Sequence, residues 1–136
     1  MPGLDTTKDN VFLIWGGRSW VAGHLETLLR SQGRTVHMTT VRMEDRLAVQ
    51  KELETVKPTH VFNCAGVTGR PNVDWCEDHR QETLTSNLVG TLNVATCCAA
   101  MGIHLTVFAT GCERLFPNIC HVRLHWLIGD RHLHVQ

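Results

Sequence analysis

Five consecutive apolar residues, Val11–Trp15 (VFLIW), follow a polar opening. A parallel strand covered on both faces has no polar side to show, so an unbroken run of this length predicts a central strand. From residue 21 to 32 the apolar positions Val21, Leu25, Leu28 and Leu29 fall at helical spacing, and Gly33 closes the segment as a cap would. Residues 35–40 predict a second short strand. Residues 44–56 carry Leu47, Val49, Leu53 and Val56 on a charged background and stop at Lys57-Pro58, which predicts a surface helix. Residues 60–65 (HVFNCA) predict a third strand and residues 105–109 a fourth. Between them Leu84, Leu88, Leu92, Val94 and Ala95 recur at spacings of three and four, predicting one long helix from about residue 74 to Met101, closed by Gly102. The loop 66–72 fits neither periodicity.

Strands alternating with helices imply right-handed crossovers and a parallel sheet covered on both faces. The fold class expected is α/β, a partial doubly wound (Rossmann-type) sheet of about four strands with flanking helices. A doubly wound sheet ordered 3-2-1-4-5-6 that stops at residues 105–109 leaves its fourth strand as an edge, and self-association through that edge is expected. Residues 1–10 read as a leader, 11–112 as the incomplete domain and 113–136 as an unassigned tail rich in histidine. In the tail Val122, Leu124, Trp126 and Ile128 alternate with His121, Arg123 and His125, which fits an edge strand or a segment without regular structure.

A length of 136 residues suits one domain. Thirteen Lys and Arg against thirteen Asp and Glu give a formal net charge of +0, so no basic field argues for nucleic acid or a membrane surface. No uninterrupted apolar run approaches the ~18 residues that span a bilayer, and the first ten residues lack a signal-peptide pattern. A cytoplasmic protein with small-molecule or protein partners is expected. The six cysteines lack paired spacing and read as reduced thiols. Cys112, Cys120, His121 and His125 match no familiar zinc spacing, and no metal is expected.

The chemistry begins where the first strand meets the first helix. In a dinucleotide-binding turn one glycine makes the bend, a second lets the backbone approach the pyrophosphate, and helix N-terminal amides hold the anion. Here Gly16, Gly17, Arg18, Ser19, Trp20 and Val21 form that turn, followed by Ala22. Against a G-x-x-G-x-x-G/A pattern Gly16 and Ala22 fit, while Ser19 puts a side chain where the phosphate would press. A tight turn with only a structural role is the other reading. After the second strand the chain offers Thr39, Thr40 and Arg42, with no acid before Glu44. A basic residue there favours NADP(H) over NAD(H). A solvated loop charge is the alternative for Arg42.

The string KPTHVFNCAGVTGRPNVDWCE (residues 57–77), the residues 87–90 (NLVG) and 108–112 (FATGC) together resemble the nucleotide-rhamnose epimerase/reductases. These are extended short-chain dehydrogenase/reductases that convert an NDP-4-keto-6-deoxy-glucose to NDP-rhamnose. GRPNVDWCE is the most specific part. The resemblance implies that Asn63, Ala65 and Gly66 lie along the cofactor and that Val67, Thr68, Arg70 and Asn72 face a nucleotide-sugar substrate. It implies Thr110 as the hydroxyl beside the substrate's 4-keto oxygen and Cys112 as an acid/base at the epimerised carbon, a task suited to a tunable thiol. Arg70 as a solvated charge and Cys112 as an ordinary partly buried thiol remain open. Asn87 resembles a family asparagine that stabilises the central strand. The chain contains no tyrosine, whereas the family's Tyr-x-x-x-Lys helix would follow Cys112. Truncation, a frameshift or an alternative transcript is expected, with no reductase activity in the chain alone. A non-catalytic cofactor-binding or regulatory module is the second reading.

Overall fold

A computed structural model describes residues 10–67 and 74–108. The unbroken apolar run becomes β1 (Val11–Trp15), a strand whose odd and even residues enter different cores. Leu13 and Trp15 face one layer of helices, and Phe12 and Ile14 face the other. That is why no position in β1 is polar. The chain continues through α1 (Trp20–Ser31), β2 (Thr35–Thr39), α2 (Arg46–Val56) and β3 (His60–Asn63). It then passes α3 (Trp75–Asp78), α4 (Arg80–Leu84), a single π-helical turn over Thr85–Val89, α5 (Gly90–Met101) and β4 (His104–Val107).

All strand pairs are parallel, in the order β2-β1-β3-β4. The third strand therefore crosses to the far side of β1 and does not add outside β2, so the winding reverses between β1 and β3. Open α/β sheets leave a crevice at such a reversal, outside the carboxyl ends of the strands. The expected order, with the third strand outside β2, is therefore corrected to β2-β1-β3-β4, although β4 is an edge among the described residues, as expected.

α2 and α5 cover one face of the sheet. There Leu13, Trp15, Val61 and Leu105 pack with Val49 and Leu53 of α2 and with Val94, Cys97 and Cys98 of α5. α1 covers the other face through Ala22 and Leu29, against Phe12, Ile14, Val36 and Cys64. Asp45 starts α2 by accepting the Ala48 amide at 3.1 Å, two residues later than the periodicity suggested. Such a cap satisfies a donor that the helix leaves without a carbonyl.

The long helix expected from about residue 74 departs from its pattern in two ways. It breaks at His79, whose φ of −122° and ψ of 45° are not helical, and it widens into the π-turn before α5. Leu84, Leu88 and Leu92, which carry the 3.6-residue periodicity, point outward and are 57%, 52% and 50% exposed. The inward face is built from small residues, Ser86, Gly90, Val94, Cys97 and Cys98. Close approach explains this choice: a Cβ on Gly90 would sit 2.9 Å from the Met43 Cβ. The 22 residues Arg80–Met101 are also long and apolar enough, by length and composition alone, to cross a membrane. Counting uninterrupted apolar runs overlooks them because Thr, Ser and Asn are interspersed.

Candidate functional site

The turn after β1 is shaped by a single backbone contact. Gly16 adopts φ +90°, and a Cβ there would lie 2.6 Å from both the Ala65 nitrogen and the Cys64 carbonyl carbon. Only glycine lets the β1 turn rest directly on the end of β3. The turn closes with the Ser19 amide donating to the Gly16 carbonyl at 2.7 Å, and the Cys64 amide donates to the Trp15 carbonyl at 3.0 Å. The glycine turn thus sits where the winding reverses.

There α1 begins, so its N-terminus lies at the reversal. Ser19 is the N-cap in an extended conformation, yet its side chain makes no capping bond, and the first turn of α1 holds no acid. The Gly23 amide is bonded to the Ser19 carbonyl at 3.1 Å, but the amides of Trp20, Val21 and Ala22 precede the first intrahelical bond. An uncapped helix start with its positive dipole end uncompensated is a donor set suited to a phosphate. A dinucleotide's pyrophosphate fits these donors. Gly17 and Arg18 are exposed beside them, and the Trp20 indole, 78% exposed, meets the His24 ring edge-on at 4.2 Å between centroids.

The end of β3 forms the other wall. Asn63 is 1% exposed, and its amide group is committed internally: Oδ1 accepts the Ala65 amide at 3.0 Å and Nδ2 donates to Thr91 Oγ1 at 3.3 Å. It shapes the wall from behind and does not present its side chain to the crevice. Burial pushes the Cys64 thiol up to about 11, so it stays protonated at neutral pH and contributes packing. Ala65 and Gly66 follow, and Asn87 from the π-turn grips the next residue at two points. Its Oδ1 accepts the Val67 amide at 2.7 Å, and its Nδ2 donates to the Val67 carbonyl at 2.9 Å. Asn87 thus holds the loop that leaves β3. Thr68, Arg70, Asn72, Thr110 and Cys112 lie outside the described residues, as do Cys120, His121 and His125.

The loop after β2 lies beside the carboxyl end of β1. The buried Trp15 donates its Nε1 to the Val41 carbonyl at 2.9 Å, anchoring the loop from below. Asn93 Nδ2 donates to the Met43 carbonyl at 3.0 Å and the Glu44 carbonyl at 3.2 Å. Arg42 is at the surface and reaches Glu44 Oε1 at 3.3 Å. The same oxygen accepts the Ser86 hydroxyl at 2.6 Å, and that bond holds the Glu44 carboxyl below the usual carboxylate range. Gly16 thus rests on Cys64 and Ala65 at the winding reversal, Ser19, Trp20 and Val21 open α1 directly after it, and Arg42 stands in the neighbouring loop after β2. Sequence reasoning missed Ser86, Asn93 and the part played by Glu44. Asn93, an amide side chain among the mostly apolar positions of α5, was the available signal, and Ser86 had none.

Residues 10–116 match the family described as the RmlD substrate binding domain. The bifunctional dTDP-4-dehydrorhamnose 3,5-epimerase/dTDP-4-dehydrorhamnose reductase of Arabidopsis thaliana is 50% identical over 101 residues, 74% of this chain and 34% of that protein. A trifunctional UDP-glucose 4,6-dehydratase/UDP-4-keto-6-deoxy-D-glucose 3,5-epimerase/UDP-4-keto-L-rhamnose-reductase of the same plant is 48% identical over 101 residues, 15% of its own length. Among solved structures, the UDP-rhamnose synthase of Acanthamoeba polyphaga mimivirus superposes with a TM-score of 0.74 at 31% identity, covering 82% of this chain and 40% of that one. A Bacillus anthracis dTDP-4-dehydrorhamnose reductase in complex with NADP shares the fold, with a TM-score of 0.67 at 20% identity over 74% of this chain and 36% of that one. The chain thus spans about a third of the length of the first of these plant enzymes and less of the second.

Proposed function

Because this chain belongs to the RmlD substrate binding domain family, we propose that it is the dinucleotide-binding portion of a nucleotide-sugar epimerase/reductase of NDP-rhamnose synthesis, acting in the cytoplasm. The observation that carries this reading is the uncapped start of α1, set by Gly16 against the end of β3 where the winding reverses. When bound, the nicotinamide cofactor supplies a hydride for reduction of a 4-keto sugar. Gly16, Gly17, Arg18, Ser19, Trp20 and Val21 hold its pyrophosphate through backbone amides, and Ala65 and Gly66 bound its path along β3. Arg42 faces a 2′-phosphate, which favours NADP(H) over NAD(H). Val67, Thr68, Arg70 and Asn72 form the sugar-nucleotide side, with Thr110 holding the keto oxygen and Cys112 moving the proton at the epimerised carbon.

Reduction also needs a positioned acid to protonate the keto oxygen, and the chain holds no tyrosine to act as one. We therefore propose that it binds cofactor without reducing substrate by itself. Titration of the purified chain with NADPH and NADH, followed by calorimetry and by quenching of the exposed Trp20, tests the reading. Saturable binding of either is expected, with NADPH tighter and with no turnover of an NDP-4-keto-6-deoxy sugar. Absence of saturation with both cofactors would remove the dinucleotide assignment, and turnover would remove the claim of inactivity.

A further inference from the structure

Arg42, in the loop after β2, is held far more loosely than the acid it touches. Its side chain is 78% exposed and its Nη2 lies 3.3 Å from Glu44 Oε1, beyond the usual N–H···O range, whereas the Glu44 side chain is 23% exposed. Glu44 is pinned at both ends. Ser86 donates to its Oε1 at 2.6 Å, the length of a charge-assisted O–H···O⁻ bond. Asn93 holds its main chain, donating to the carbonyls of Met43 at 3.0 Å and Glu44 at 3.2 Å. Met43 is itself buried beneath the loop, packed against Gly90. The group that can swing is therefore the cation, and the group that stays is the anion. Together they border a surface cleft of about 450 Å³ between the β2–α2 loop, residues 78–82 of α3 and α4, and Thr85 and Ser86 of the π-turn.

This asymmetry has a chemical consequence for any ligand that places a phosphate monoester against Arg42. The guanidinium can turn from Glu44 toward the phosphate, but the carboxylate cannot leave with it. A fixed negative charge then remains within a few ångströms of the incoming dianion, partly shielded from water, where repulsion is screened less than at an open surface. A ligand without that phosphate is indifferent to the arrangement.

We propose that Glu44, locked by Ser86, is a specificity-determining residue: it is a fixed counter-charge that weakens the grip of Arg42 on a 2′-phosphate and so narrows the preference for NADP(H) over NAD(H). This rests on the dinucleotide reading of the crevice. It assigns cofactor choice to a pair of opposite charges and to a serine on a π-turn 42 residues away, and not to the arginine alone.

The test compares dissociation constants of NADPH and NADH for the full chain and for Glu44→Gln, Ser86→Ala and Arg42→Gln, by calorimetry at low salt and at 0.5 M salt. Glu44→Gln is expected to tighten NADPH about tenfold while NADH changes less than about twofold, with the gain shrinking at high salt. Ser86→Ala, which unpins the carboxylate without removing its charge, is expected to give a smaller gain in the same direction. Arg42→Gln is expected to weaken NADPH selectively. An unchanged NADPH/NADH ratio in Glu44→Gln, or an equal shift of both cofactors, would overturn the assignment while leaving the dinucleotide reading intact. Failure of the unmodified chain to bind either cofactor would overturn both.

Discussion

Replacing Gly16 by alanine tests the contact on which the whole crevice depends. The new Cβ would stand 2.6 Å from the Ala65 nitrogen and the Cys64 carbonyl carbon and 2.7 Å from the Cys64 oxygen. None of these is the tip of a flexible side chain. Cys64 is tied to Trp15 by a 3.0 Å backbone bond and Ala65 to the buried Asn63 side chain by another of 3.0 Å, so relief requires β1 and β3 to part at their carboxyl ends. Two costs add. Holding an alanine at φ +90° costs about 1–2 kcal/mol, and forcing a methyl group into a filled space costs about 1–3 kcal/mol. A gain of about 0.4–1 kcal/mol from a less flexible unfolded chain offsets part of this. The net loss expected is about 3 kcal/mol, a large share of the ~5–15 kcal/mol that holds an ordinary domain folded. With a urea dependence of about 1–2 kcal/mol per molar, the unfolding midpoint should fall by roughly 2 M. Gly17→Ala serves as the control: its Cβ meets only the Met38 methyl at 3.6 Å, so a change within ~0.5 kcal/mol is expected. A Gly16→Ala midpoint equal to that of the unmodified chain, or a Gly17→Ala loss as large, would refute the packing argument.

Three further outcomes are open to measurement. Asn87→Ala removes both hydrogen bonds to Val67, worth about 1–2 kcal/mol together at this exposed place, and should speed amide exchange at Val67 at least about tenfold; unchanged exchange would show that another group holds the loop. Burial pushes the Cys64 thiol from 9.0 to about 11, and burial with some repulsion from Cys97 pushes Cys98 to about 12. Because the unfolded chain releases these protons first, their contribution is complete below pH 9 and is lost as pH rises toward 11 and 12. Urea midpoints should therefore decline across that window, and a flat or rising profile would contradict the thiols' burial. Ser19→Gly should tighten NADPH by on the order of 1 kcal/mol, since it clears a side chain from the place where backbone should meet the pyrophosphate; equal affinities in calorimetry would mean that the phosphate lies elsewhere.

The sheet was legible because a doubly covered strand has only one way to be written. VFLIW marked β1 to the residue, and the other three strands shifted by no more than two residues at either end within the described chain. The helix after β3 was misread for a physical reason. Periodicity records which residues are apolar, whereas packing here selects which are small, so Leu84, Leu88 and Leu92 advertised a face that Gly90, Cys97 and Cys98 in fact supply. The glycine turn and the end of β3 were found from local pattern and from resemblance. Ser86 and Glu44 were not, because their contact joins positions 42 residues apart through a turn whose hydrogen-bond spacing no sequence period announces.

The π-helical turn at Thr85–Val89 is, in effect, an α-helix carrying one surplus residue. Each residue of an α-helix advances the azimuth by about 100°, so a chain lacking the surplus would present everything beyond it rotated by that amount. Gly90 would leave its seat on Met43, and part of the outward leucine ridge would swing toward the sheet. Any relative without the widened turn must therefore be aligned with a one-residue gap at this point. An ungapped alignment would pair Asn87 with the wrong neighbour, and every correspondence along α5 would inherit the slip.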